Sequence, residues 1–304
     1  MATKSGQRTG VRNPGLVMAA AAVPVLLTMS AHNAGSKTSS IVTPTEITVA
    51  TCTADIADIK ECHDSFNTGC TKADKPTYDP YLNFMKDKDF MKDNKIDPDV
   101  LKDPVNLEDS DVDDLDSKLP PALSTHNHAD FADDLAEIGE GQVRSVVANL
   151  YFSKANPGES SNCQLPLAKD GDYHVLIGFD DTVAAAMKGK STVPKDISRQ
   201  VDEAAIIVEM TPFVRAQHPG WTLPQLKKHW GEKVKVVGQL MVDNEHNIQG
   251  ANCALLDQGA RDKSKCWRRT VWELHPVLDF YVCNKAAGCT ADSDDGWLSL
   301  DNAR

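Results

Sequence analysis

The sequence predicts a mainly β fold: a five-stranded barrel with a partly irregular N-terminal extension. Three observations predict it. From Gly139 onward, apolar residues alternate with polar ones in five separate runs, the period of a half-buried strand. Glycine and proline punctuate those runs where strands must bend or stop. Between the third and fourth runs the spacing changes to that of one short helix.

The first strand reads Gln142–Phe152, with Val143, Val146 or Val147, and Leu150 inward. The second is Asp172–Phe179, reached through the loop that holds Cys163. Ala204–Met210 is the third, ended by Thr211-Pro212. In the helix, Thr222 offers an N-cap, Pro224 suits the first turn, and Leu223, Leu226 and Trp230 share one side. The fourth strand is Glu232–Val242, with Gly238 where a bulge or bend belongs. The fifth alternates from Val271 to Cys283. Five strands with one helix between strands 3 and 4 is the order of an OB-like Greek-key barrel. Its expected extent is 139–285.

The flanks differ in composition. Residues 1–34 have a basic start (Lys4, Arg8, Arg12), a short apolar run from Gly15 to Met29, and small residues after it, the layout of a secretory signal peptide. The run is shorter than the roughly 20 apolar residues of a membrane span and carries Pro24, so no span is expected after signal cleavage. Residues 35–71 read as a flexible lead-in and a cysteine-containing N-terminal element, and 72–138 as an acidic, proline-containing linker or extension. Within it, Asp109-x-Asp111-x-Asp113 opens like a calcium loop, but Asp114 stands at the turn glycine and Pro120 at the closing glutamate. Residues 286–304 form an acidic tail, expected to be mobile.

All eight cysteines follow the apolar run, an even count that suits disulfides in an exported chain, periplasmic or secreted. Cys253 and Cys266 flank one loop and are expected to pair. Cys283 with Cys289, and Cys52, Cys62, Cys70 and Cys163, are further candidates whose connectivity the spacing leaves open.

The net charge is −12. Loss of Lys4, Arg8 and Arg12 with the signal segment makes it about −15, which gives no general attraction to nucleic acid or anionic membranes. The 139–285 region, however, holds 18 Lys+Arg against 17 Asp+Glu, so the acidity belongs to the flanks. Lys227, Lys228, Trp221 and Trp230, with Arg268 and Arg269, could form a basic, aromatic face. Such a face in an OB domain suits single-stranded nucleic acid, and an oligosaccharide is equally compatible with the fold.

The polar residues inside the strands carry the other reading. Asp172 and His174 share a face of the second strand, and Glu273 and His275 a face of the fifth. Glu209 closes the third strand, and Asp243 with His246 closes the fourth. Buried without partners, each would cost a few kcal/mol. One reading makes His174, His246 and His275, with Asp243 or Glu209, ligands of a divalent metal (zinc, iron or manganese), with Asp172 and Glu273 in support. The other makes them a cross-strand hydrogen-bond network. No nucleophile elbow or phosphate loop accompanies them. The functional expectation is therefore an exported binding protein for an extended polymer, with a metal-dependent hydrolase and a non-catalytic surface protein as alternatives.

Gly139–Val147, Glu159–Cys163, Asp172–His174, Val208–Pro212, Gly238–Asp243 with His246, and Trp272–Pro276 together resemble an uncharacterised group of exported bacterial proteins with an OB-fold-like domain. The resemblance covers roughly residues 139–283. It implies the fold and export, and no activity.

Overall fold

The computed structural model describes residues 50–303, except 54, 73–78, 94, 246–251, 254–265 and 287. The expected signal segment and His246 lie outside the described residues.

Five strands close on one another: β1 (Val143–Asn156), β2 (Asp172–Gly178), β3 (Ile206–Met210), β4 (Lys233–Val242) and β5 (Trp272–Cys283). Around the barrel the order is β1-β2-β3-β5-β4 and back to β1. The β3–β5 pairing is parallel and the other four are antiparallel. Closure leaves none of these five strands with two free edges, and long β1 and β5 accommodate it by bending. The pairing of β1 with β2 shifts between Leu150 and Phe152, and that of β5 with β4 between Leu274 and Val277. Gly238 faces the second shift. A Cβ there would come within 2.8 Å of the Pro276 carbonyl, so the close approach of the two backbones requires glycine.

The apolar core combines Val146, Ala148 and Leu150 with Val175, Ile177, Val208, Val236, Leu240, Leu274 and Phe280. Eight α-helices surround it among the described residues, so the single helix expected from the spacing is a correction. Four precede the barrel: α1 (Ile59–Ser65), α2 (Pro80–Lys86), α3 (Asp109–Ser117) and α4 (Ala132–Glu137). Between β2 and β3 lie α5 (Asp181–Met187) and α6 (Ser198–Ala204); between β3 and β4 lie α7 (Pro212–Arg215) and α8 (Leu223–Lys228). These helices are only one to three turns long, too short for a 3.6-residue period to emerge. Their starts are nonetheless marked: Asp180 caps α5, and Thr211 and Thr222 cap α7 and α8 ahead of a proline in the first turn.

The acidic segment read as a solvated linker is instead packed on the barrel. Leu107, Val112, Leu115, Leu123 and Leu135 belong to the same apolar cluster as the strands, and Val105–Leu107 pairs parallel with β1. In α3 Asp109 and Asp111 fall in the first turn, where the helix dipole favours them, and Glu108 with Asp111 forms a capping box. Arg269 pairs with Asp109 and Asp113. The tail expected to be mobile also docks. Trp297–Ser299 pairs antiparallel with the end of β5, Leu300 is fully buried, and Asp301 accepts from the Gly220 amide.

Four disulfides form: Cys52–Cys70, Cys62–Cys163, Cys253–Cys266 and Cys283–Cys289. Cys253–Cys266 is the pair expected from its loop, and Cys283–Cys289 is one of the further candidates. Cys62–Cys163 ties the N-terminal element to the loop between β1 and β2. This set of pairs fits an oxidising environment. No helix among the described residues is long and apolar enough to cross a membrane.

Candidate metal centre

Strand register assembles the site. His174 on β2 stands directly opposite Glu209 on β3. On the other side of β3, Ile207 and Val208 pair with Glu273 and Leu274 of β5, which places His275 beside Glu209 one step further along. Asp172 and Glu273, two residues before each histidine, lie on the same face. Val175, Val208 and Leu274 point to the opposite face and join the apolar core. Period-two alternation thus puts an ionisable face and an apolar face on the same three strands.

The ionisable face is covered by two segments of the chain. One is the β1–β2 loop, which contributes Glu159. Cys62–Cys163 anchors this loop, the Cys70 amide donates to the Ser160 carbonyl at 3.0 Å, and the Ser160 hydroxyl donates to Asn83 Oδ1 at 2.8 Å. A Cβ at Gly69 would collide with the Ser160 carbonyl, so glycine permits this contact. The other segment is α2, started by Asp79 and Pro80, which brings Lys86 inward at its last turn. The Gln239 amide of β4 donates to the carbonyls of both Met85 and His275, which fixes α2 against β5.

A continuous polar chain results. Lys86 Nζ lies 3.5 Å from Glu159 Oε2 and 3.6 Å from Glu245 Oε2. Glu159 Oε1 lies 3.3 Å from His174 Nε2, which is 3.0 Å from Glu209 Oε1. Glu209 Oε2 is 3.1 Å from His275 Nδ1, and Asp172 Oδ2 is 3.7 Å from His275 Nε2. Beyond them, buried Arg268 pairs with Glu273 and, at 3.2 Å, with Asp243. Two triads, Glu159–His174–Glu209 and Asp172–Glu209–His275, each bring one ligand atom per residue within 4.8 Å of the others.

Hydrogen bonding satisfies these groups unequally. No strictly aligned hydrogen bond reaches either oxygen of Asp172, either ring nitrogen of His275 or the Oε2 of Glu209, although all three residues are almost completely buried; the side chains placed to bond them are Asn162 for Asp172 and His275 for Glu209. Native interiors leave few such atoms. Glu209 Oε2 lies at ligand spacing from His275 Nδ1, since two atoms bound at about 2.1 Å to one ion lie about 3–3.5 Å apart, while Asp172 approaches the other ring nitrogen.

Charge points the same way. For His174, burial opposes protonation, but Glu209 and Glu159 outweigh it and push the imidazole up to about 10. Burial would raise Glu209, but His174 and His275 hold it well below the usual carboxylate range. Glu159, also buried, is held down at about 2, chiefly by Lys86. Asp172 and Glu273 are driven well above the ordinary range, first by burial and then by neighbouring carboxylates. A cation entering the cluster would compete with those protons for the carboxylates.

Of the residues singled out in the sequence, His174, Glu209, His275, Asp172 and Glu273 converge. Asp243 joins them through Arg268, and its Oδ1 accepts from the Glu245 amide. Glu159 and Lys86 were missed. One lies in a loop noted only for its cysteine, and the other in the segment read as linker. The basic, aromatic face is not assembled. Trp221 and Trp230 are buried, Arg268 is fully buried against Glu273, Asp243 and the Trp267 ring, and Arg269 is taken up by α3. Lys227 and Lys228 alone of that set are exposed. His218 and His229 pair with Asp301 and Glu232 at 2.7 and 2.8 Å.

No family model, curated protein or solved structure matches the chain.

Proposed function

We propose that this chain is a divalent-cation-binding protein whose site is the His/carboxylate cluster on β2, β3 and β5. One observation carries the reading: Asp172, Glu209 and His275 are enclosed, mutually within ligand distance, and lack well-formed hydrogen bonds at the atoms that face one another. Two kinds of donor, imidazole and carboxylate, suit zinc, iron(II) or manganese. The test is metal content after purification from an oxidising compartment. Stoichiometric metal that disappears in His275→Ala supports the reading. A metal-free wild type after exposure to excess zinc and manganese overturns it.

The barrel is best read as OB-type, since its strand order and its parallel β3–β5 closure are those of that fold. Export is the matching localisation, supported by the layout of residues 1–34 and by four disulfides.

A hydrolytic role for the cation is a second reading, favoured by one specific observation. Lys86, which touches Glu159, also lines a cleft of about 280 Å³ walled by Phe90, Phe213, Val214 and Pro276, next to His275. Chelator-sensitive turnover of bis(p-nitrophenyl) phosphate would support this role. Absence of turnover in the metal-loaded protein would restrict the function to binding.

A further inference from the structure

We propose that the cluster takes two divalent cations, bridged by the Glu209 carboxylate. This rests on the cation-binding reading above and goes beyond it in number, arrangement and ligand assignment. The outer ion is held by Glu159, His174 and Glu209 Oε1; the inner ion by Asp172, His275 and Glu209 Oε2.

The two triads share only Glu209, and they use opposite oxygens of it: Oε1 is 3.0 Å from His174 and Oε2 is 3.1 Å from His275. The backbone enforces this division, because β3 lies between β2 and β5 and presents Glu209 to a histidine on each side. A carboxylate bound through both oxygens keeps two ions about 3.5–4 Å apart, the spacing of two-metal sites.

Glu159, Asp172 and Glu209, which carry no Arg268 contact, are the anionic ligands, and histidine binds metal in its neutral form. Arg268 occupies Glu273 and Asp243, so these support the ligands rather than bind an ion. The two positions differ in access. Asp172 and His275 are completely enclosed, whereas the Glu159 side chain is 14% exposed and its Lys86 partner reaches the cleft. The outer ion is therefore the exchangeable one.

The experiment is a manganese(II) titration of the chelator-stripped full chain with its disulfides intact, followed by electron paramagnetic resonance. Two manganese ions per chain with an exchange-coupled spectrum are expected. Glu159→Gln should weaken one ion at least tenfold and leave the other, Asp172→Asn should weaken the other, and Glu209→Gln should weaken both. The Glu159 side chain is 14% exposed, against 0% for Asp172, so its variant keeps the test decisive if Asp172→Asn does not fold. Saturation at one ion overturns the two-ion proposal and leaves cation binding intact. Two uncoupled ions that are indifferent to Glu209→Gln overturn the bridge. No bound ion at all overturns the underlying reading as well.

Discussion

Glu209 Oε2 stands 3.1 Å from His275 Nδ1 across the parallel β3–β5 pairing, yet the two atoms form no well-aligned hydrogen bond. A network selected only to satisfy its own polar groups would align this pair, because both side chains are buried and misalignment forfeits the bond. Their placement suits two atoms directed at a third partner between them.

The enclosed Arg268 sets the stability of the site's inner wall. Its guanidinium pairs with Glu273 and Asp243 and donates to the Asp243 carbonyl at 3.0 Å. Arg268→Met removes that charge and leaves two buried carboxylates without it. The expected cost is about 3–5 kcal/mol, read as a lower urea midpoint. A shift under 1 kcal/mol would show that the acids are neutral without Arg268.

Cys62–Cys163 spans 101 residues and fixes the loop that carries Glu159. Its loss in the double Cys→Ser variant should cost about 2–5 kcal/mol and also weaken metal binding. Removal of Cys283–Cys289, which closes a loop of only 6 residues far along the chain, should leave metal binding unchanged. Equal effects of the two on metal affinity would contradict the role given to the Glu159 loop.

His128 joins the N-terminal layer to the barrel. Its Nε2 faces Glu140 at 2.9 Å and its Nδ1 faces the Asn244 Oδ1 at 2.8 Å, so both ring nitrogens meet acceptors and the imidazolium fits. Burial opposes the charge, but Glu140 and Asn244 raise the group above its ordinary 6.5. The stability it contributes is complete below pH 6.5 and is lost as pH rises through the raised value. Urea midpoints of wild type and His128→Gln should therefore converge as pH rises above 6.5 through the raised value. A constant gap would refute the charged form.

Asp116 is the opposite case. Buried beside Thr270 and Asn252, its carboxyl is pushed up to about 7, by burial above all. The folded state keeps a proton that the unfolded chain releases, so this group makes stability fall as pH rises from 3.8 to about 7. Asp116→Asn should remove that slope and stabilise the protein by about 1–3 kcal/mol at pH 8. No difference between variant and wild type at pH 8 would contradict it.

The strands and the inner half of the site were legible because both follow from period-two alternation. Asp172-x-His174 and Glu273-x-His275 announce two ionisable faces, and the closure of β2, β3 and β5 brings them together. Glu159, Lys86 and the packed role of 80–137 were not legible. Their positions depend on a disulfide 101 residues long and on helices whose charges resemble those of a solvated segment. The buried tryptophans misled in the other direction. Trp221 and Trp230 sit beside lysines in sequence, but Trp221 stacks on His218 at 4.1 Å and Trp230 packs on Phe152.

Anomalous diffraction from crystals soaked with manganese or zinc tests the central claim most directly. A peak about 2.0–2.2 Å from Glu209 and His275, with Asp172 as a further ligand, is the predicted result. A saturated crystal with no peak there, and with Glu209 and His275 joined by a well-aligned hydrogen bond, would contradict it.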